Sequence, residues 1–221
     1  STSAEAKLTA KQPEYLIDKD GKLVYGQVLG DEIKEYDVFF LPKSLSEVIG
    51  KNGISNQVLS LCGILSDTVK IDLNILEEQG FEWKALINEA DNQIKFFCFI
   101  LSRNNRKDSV GFSESLKNAV QDFRRFSKPN FLKAFKIFIP LIGVGSGNLD
   151  PKLSLNQVLE GVKQMQKTFD KPQIRINFPL AANEDAISNY VSIIKKELDI
   201  KEVDKPVFES NKLTLTTPSN D

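Results

Sequence analysis

The stretch Ile137-Phe-Ile-Pro-Leu-Ile-Gly-Val-Gly-Ser-Gly-Asn-Leu149 constrains this chain most: an apolar strand runs into three glycines within five residues, then into Asp150-Pro151 and an amphipathic run. Strand, glycine turn and helix start in that order belong to α/β proteins. Glycine permits positive φ, expected here at Gly145. It also leaves the backbone N–H groups of Gly143, Val144, Gly145, Ser146, Gly147 and Asn148 unobstructed, which suits an anion-binding nest. Asp150 can cap free N–H groups, and Pro151 fits a first helical turn, where its missing N–H has no partner to lose. The positive end of that helix then lies beside the loop. No Lys-Ser/Thr pair follows the glycines, which argues against a Walker-type loop, and a plain strand-to-helix corner is the bland alternative.

Elsewhere strands and helices alternate. Apolar runs at 23–27, 36–41, 94–101, 135–142 and 173–178 read as strands, those at 94–101 and 135–142 covered on both faces. Helical spacing joins Leu116, Ala119, Val120 and Phe123. It also joins Leu155, Val158, Leu159 and Val162, and then Ile187, Tyr190, Val191, Ile194 and Leu198. The expected architecture is one three-layer α/β/α domain with a mixed sheet over residues 21–199, with Phe138, Leu141 and Ile142 buried. Residues 1–20 and 200–221 are polar and aperiodic and read as an N-terminal tail and a C-terminal tail or linker.

Composition narrows the chemistry. With 221 residues, 41% of them apolar, the chain can bury one good core. It contains no histidine, which removes Ser-His and Cys-His pairs and the commonest zinc sites together, so no metal and no cofactor are expected. Cys62 and Cys98 lack a C-x-x-C partner and read as packing residues in a reducing, cytoplasmic setting. No apolar run is long enough to span a membrane. Met165 is the sole methionine, so the chain is expected to be processed or part of something longer.

Taken in order, several segments resemble the macro domain, a family many of whose members bind ADP-ribose. Leu23-Val-Tyr-Gly-Gln-Val28 resembles its first strand with a Gly-Asp-Ile motif. Tyr36-Asp-Val-Phe-Phe-Leu-Pro-Lys-Ser44 falls where members carry Val-Asp-Ala-Ile-Val-Asn-Ala-Ala-Asn. Gly50-Lys-Asn-Gly-Ile-Ser-Asn-Gln-Val58 lies at the first phosphate loop and its helix, residues 139–149 resemble the second loop, and Ile174-Arg-Ile-Asn-Phe178 with residues 184–198 resembles the last strand and helix. The resemblance implies a pocket in which Gly53 and Ile54 belong to the first loop and residues 143–148 form the second. Gln27 stands in for the adenine-reading aspartate, Ser44 lies at the distal end, and Phe178 is an aromatic wall. The strand-end asparagines fall on Leu41 and Ser44, and Ser55 stands where some hydrolases have aspartate, so an enzyme, as an ADP-ribose-processing hydrolase, ranks third behind ligand binding and protein docking.

Two charged segments need a bland reading beside a functional one. Glu77, Glu78, Glu82, Glu89 and Asp91 make an acidic stretch that reads as solvated surface rather than a metal or acid/base cluster. Between Arg103 and Lys136 nine basic residues face three acidic ones, with Phe123, Phe126 and Phe131 interleaved. No base-reading motif accompanies them, so nucleic acid is not the expected partner. The functional expectation is a macro-like module binding an ADP-ribose-type or other phosphate-bearing nucleotide without catalysis. The alternative is a docking domain, with a protein partner or fused domain and an emptied pocket.

Overall fold

A computed structural model describes residues 14–18, 20–46, 48–51, 53–102, 111–127, 135–145 and 147–200. Ser146, Arg103, Lys128, Phe131, Lys133 and most of both expected tails lie outside the described residues. Seven strands form one sheet: β1 (Glu14–Asp18), β2 (Gly21–Gly26), β3 (Val38–Lys43), β4 (Phe81–Asn88), β5 (Gln93–Leu101), β6 (Lys136–Pro140) and β7 (Gln173–Asn177). Their spatial order is β1-β2-β7-β6-β3-β5-β4. The five middle strands run parallel, and β1 and β4 close the edges antiparallel. The sheet is mixed, as expected.

Helices α1 (Ile54–Leu61), α2 (Leu73–Gln79), α3 (Ser113–Ser127), α4 (Pro151–Thr168) and α5 (Glu184–Glu197) complete the layers, with a 3₁₀ turn at Asp31–Glu35. Alternation along β3 divides the core. Phe39 and Leu41 join Phe97, Phe99 and Phe138 on the face covered by Val58 and Leu59 of α1. Val38 and Phe40 join Cys98, Ile100, Ile137 and Ile139 on the other, where α3, α4 and α5 lay down the three predicted apolar stripes. Phe39 stacks on Phe97 at 4.8 Å, and each such buried ring contributes on the order of 2–3 kcal/mol by area removed from water. Phe138, Leu141 and Ile142 are all buried. The result is a three-layer α/β/α fold.

Three expectations need correction. Residues 14–18, inside the expected N-terminal tail, form β1, which pairs antiparallel with β2 and buries Leu16. At the other end the core reaches Ile200, which is buried with α5. The acidic stretch is not one surface: Glu77 and Glu78 are on α2, Glu89 and Asp91 in a turn, and Glu82 is buried on β4. Glu82 accepts a hydrogen bond from the Asp72 N–H at 2.7 Å and pairs with Lys84 at 2.9 Å, so it holds the start of α2 to β4. Among the described residues no group of acidic or thiol side chains is placed to hold a metal ion, and no helix is long and apolar enough to cross a membrane. On α3 the expected basic surface is partly neutralised, since Arg125 pairs with Asp122. Phe123 is buried, and Phe126 stacks on Trp83 at 5.8 Å.

Candidate functional site

The chain leaves the carboxyl ends of the neighbouring strands β3 and β6 in opposite directions: after β3 it passes into α1 on one face of the sheet, and after β6 into α4 on the other. A divergence of this kind opens a crevice at the strand ends, where α/β proteins bind ligands. Two serines fasten its walls alike. Ser55 Oγ, in the first turn of α1, donates to Pro42 O at the end of β3 at 2.7 Å. Ser154 Oγ, in the first turn of α4, donates to Ile142 O just past β6, also at 2.7 Å. Both helix N-termini are thereby drawn to the same end of the sheet, where their dipoles favour negative charge. Ser154→Ala is expected to destabilise the fold by about 1–3 kcal/mol, because the buried Ile142 carbonyl loses its donor; a urea midpoint unchanged from wild type would contradict it.

The loop after β6 is built by two left-handed residues, Gly143 (φ 82°) and Asn148 (φ 56°), and not by Gly145 as the sequence led us to expect. Leu149 N–H donates to Gly143 O at 2.8 Å and Asn148 N–H to Gly145 O at 3.1 Å, closing the turn. Gly147 lies against Gly143, where a Cβ would fall 2.6 Å from the Gly143 carbonyl oxygen, whereas a Cβ on exposed Gly145 would meet nothing within 4 Å. Val144 is half-buried against the core. The N–H groups of Val144, Gly145 and Gly147 make no hydrogen bond among the described residues. Asp150 caps α4 by accepting from Leu153 N–H, with Pro151 first in the helix, as predicted.

The opposing loop follows β3. Gly53 is the N-cap of α1 and offers no side-chain cap, so the first-turn N–H groups of Ile54, Ser55 and Asn56 make no hydrogen bond among the described residues. Asn56 Nδ2 donates to Lys51 O at 2.8 Å and holds the loop in place. Ser44 is exposed, its hydroxyl 3.3 Å from that of Ser46. Between them and the sheet lies buried Lys43, whose Nζ donates to the carbonyls of Ser44 and Ser46. Burial lowers its pKa from the ordinary 10.5. The folded state therefore binds this proton less readily than the unfolded chain; the protonated amine opposes folding, and the penalty fades as pH rises from the folded pKa towards 10.5.

Two expected site residues have other tasks. Phe178 is no ligand wall: it is 1% exposed and packs between Tyr25 and Tyr190, ring centroids 5.3 and 5.1 Å away. Gln27 is buried, its Nε2 donating to the carbonyls of Pro179, Leu180 and Ala182, so the amide anchors the loop between β7 and α5. That leaves Oε1, an acceptor, as the end of the side chain without a bond among the described residues. The anchored loop exposes Leu180, which the sequence reading missed. Also missed was Arg175 of β7. Fully buried, it donates to Glu32 Oε1 at 3.0 Å, to Val28 O and to Asn177 Oδ1, and so straps residues 28–32 beside the crevice.

Thiol chemistry finds no footing here. Burial pushes the Cys62 thiol up to about 11 and that of Cys98 well above its usual value, away from the reactive thiolate. Asp150 is committed to the α4 cap, and its charge joins burial in raising the Tyr190 phenol.

No protein-family model matches the sequence, and no curated protein matches it. Solved structures do. An Oceanobacillus iheyensis macrodomain with ADP superposes over 85% of this chain and 97% of its own, at a TM-score of 0.55 and 16% identity. The chain has a macro-domain fold. A point variant of that bacterial macrodomain gives 0.56 over 86% of this chain and 99% of its own, at 14% identity. Another, with ADPR, gives 0.52 over 85% and 100%, at 16% identity. In the macro fold of this chain, the two serine-fastened loops and the crevice between them lie at the carboxyl end of the parallel strands.

Proposed function

We propose that this chain is a macro-fold module that binds an ADP-ribose-type or other phosphate-bearing nucleotide in the crevice between β3 and β6, by recognition and without catalysis. The observation that carries the reading is the loop after β6. There the N–H groups of Val144, Gly145 and Gly147, without a hydrogen bond among the described residues, stand beside the N-terminus of α4, and amides converging beside a helix N-terminus favour phosphate. Asn148 shapes the turn, and Ser146 is assigned to the same loop from the sequence alone. Gly53 and Ile54, at the uncapped start of α1, face the same ligand from the other wall. Gln27 Oε1 would accept from an adenine amino group, and Ser44 marks the distal end. The macrodomain structures with ADP and with ADPR support this choice of ligand class.

Calorimetric titration with ADP-ribose, ADP and NAD is expected to give dissociation constants below about 1 mM, equivalent to about −4 kcal/mol or better. Absence of binding to all three at millimolar concentration would overturn the reading. The docking-domain alternative would then take its place, with the crevice as a vestige of the fold.

A further inference from the structure

Lys43 closes β3 at the crevice end of the sheet, where the strand ends converge. Ser102 N–H donates to Lys43 O at 3.0 Å, and a Cβ on Gly143 would come within 3.2 Å of Ser102 O. The Lys43 residue is 4% exposed. An ammonium has three N–H donors and no acceptor. Two of them go to the carbonyls of Ser44 and Ser46, and among the described residues the charge meets neither a carboxylate within ion-pair distance nor an aromatic face. The other buried cations are better served: Arg175 pairs with Glu32, and Lys95 adds the Phe39 ring at 5.9 Å to its two carbonyls. A buried charge without a counter-ion is costly, and an arriving anion would relieve that cost.

We propose that Lys43, together with the Ser44 hydroxyl, forms an oxyanion subsite at the distal end of the crevice, so that the ligand is a nucleotide ending in a phosphate, such as a nucleoside triphosphate, rather than one ending in a neutral ribose. The proposal rests on the nucleotide reading above. A ribose presents hydroxyls that both donate and accept, and is best read by side chains that do the same. Lysine only donates and acts on phosphate as a point charge. Leu41, where the resemblance would put one ribose-holding asparagine, is fully buried in the core and offers nothing polar. Burial holds the Lys43 amine below its usual pKa, and a bound phosphate would favour its charged form.

The test compares ATP, ADP-ribose and inorganic tripolyphosphate by calorimetry without divalent cations, on the full chain and on Lys43→Met. ATP is expected to bind the unmodified chain at least about tenfold more tightly than ADP-ribose, and the ratio to fall to about twofold or less in Lys43→Met. ADP-ribose binding as tightly as ATP, or a ratio unchanged by the substitution, would overturn the subsite. The ratio in the unmodified chain needs no variant, so misfolding of Lys43→Met would not shield the proposal, and Lys43→Gln gives a second neutral side chain. If no nucleotide binds but tripolyphosphate does, and Lys43→Met weakens it about tenfold, the nucleotide reading fails while the subsite stands. If nothing binds, both fall.

Discussion

Gly147→Val is expected to weaken ADP or ADP-ribose binding by about 100-fold or more, close to 2.7 kcal/mol. The added Cβ would lie 2.6 Å from the Gly143 carbonyl oxygen and 3.1 Å from its Cα. Both are backbone atoms, and Gly143 is itself fixed in the left-handed region at φ 82°, so the loop must open to admit the side chain. Opening it would scatter the N–H groups that the proposed nucleotide reading assigns to the phosphate. Gly145→Ala is the contrast, because its Cβ points into open space; it should fold with an unchanged thermal midpoint. Calorimetry and thermal unfolding on the two variants separate damage to the loop from damage to the domain. Wild-type affinity in Gly147→Val would remove the loop from the binding site.

Arg175→Met should destabilise the protein by about 3 kcal/mol or more, measured as a fall in the urea midpoint. The guanidinium is fully buried and lies 5.8 Å over the Phe138 ring. Its removal leaves the Val28 carbonyl and the Asn177 amide oxygen without this donor, and leaves Glu32 with its charge unpaired. Glu32→Gln should cost less, on the order of 2 kcal/mol, because the amide oxygen can still accept from the buried guanidinium. The Tyr36 phenol reports the same network: burial raises it to about 12 against the downward pull of Arg175. Loss of the guanidinium should therefore push it higher still. Equal stability of the two variants would show that Arg175 contributes through Glu32 alone. Since Arg175 straps residues 28–32, the variant should also loosen the crevice wall next to Gln27.

The fold was legible wherever burial imposes a period. Strands covered on both faces must be apolar throughout, which made 94–101 and 135–142 readable, and helices facing the sheet must repeat at 3.6, which made α3, α4 and α5 readable. Asp150-Pro151 fixed the start of α4 because capping is local chemistry. The edge strands escaped. β4 interleaves Glu82 and Lys84 with Phe81 and Trp83, so its charges read as a surface run. The Asp72 N–H, brought from another element, joins Lys84 in satisfying the buried Glu82. β1 is five residues long and depends on β2 for its pairing.

Sequence by itself determined the five parallel strands, the apolar stripes of α3, α4 and α5 and the glycine corner after β6, because each depends on residues close together in the chain. Tertiary structure decided how those residues are used. Phe178 turned inward between two tyrosines, and the amide of Gln27 went to three carbonyls more than 150 residues away. Gly147, and not Gly145, became the glycine that admits no side chain. Lys43 was left buried at the end of β3, its amine on two backbone carbonyls and without a carboxylate in reach among the described residues. Such outcomes depend on which groups arrive from distant strands to share one desolvated space, and no local period encodes that.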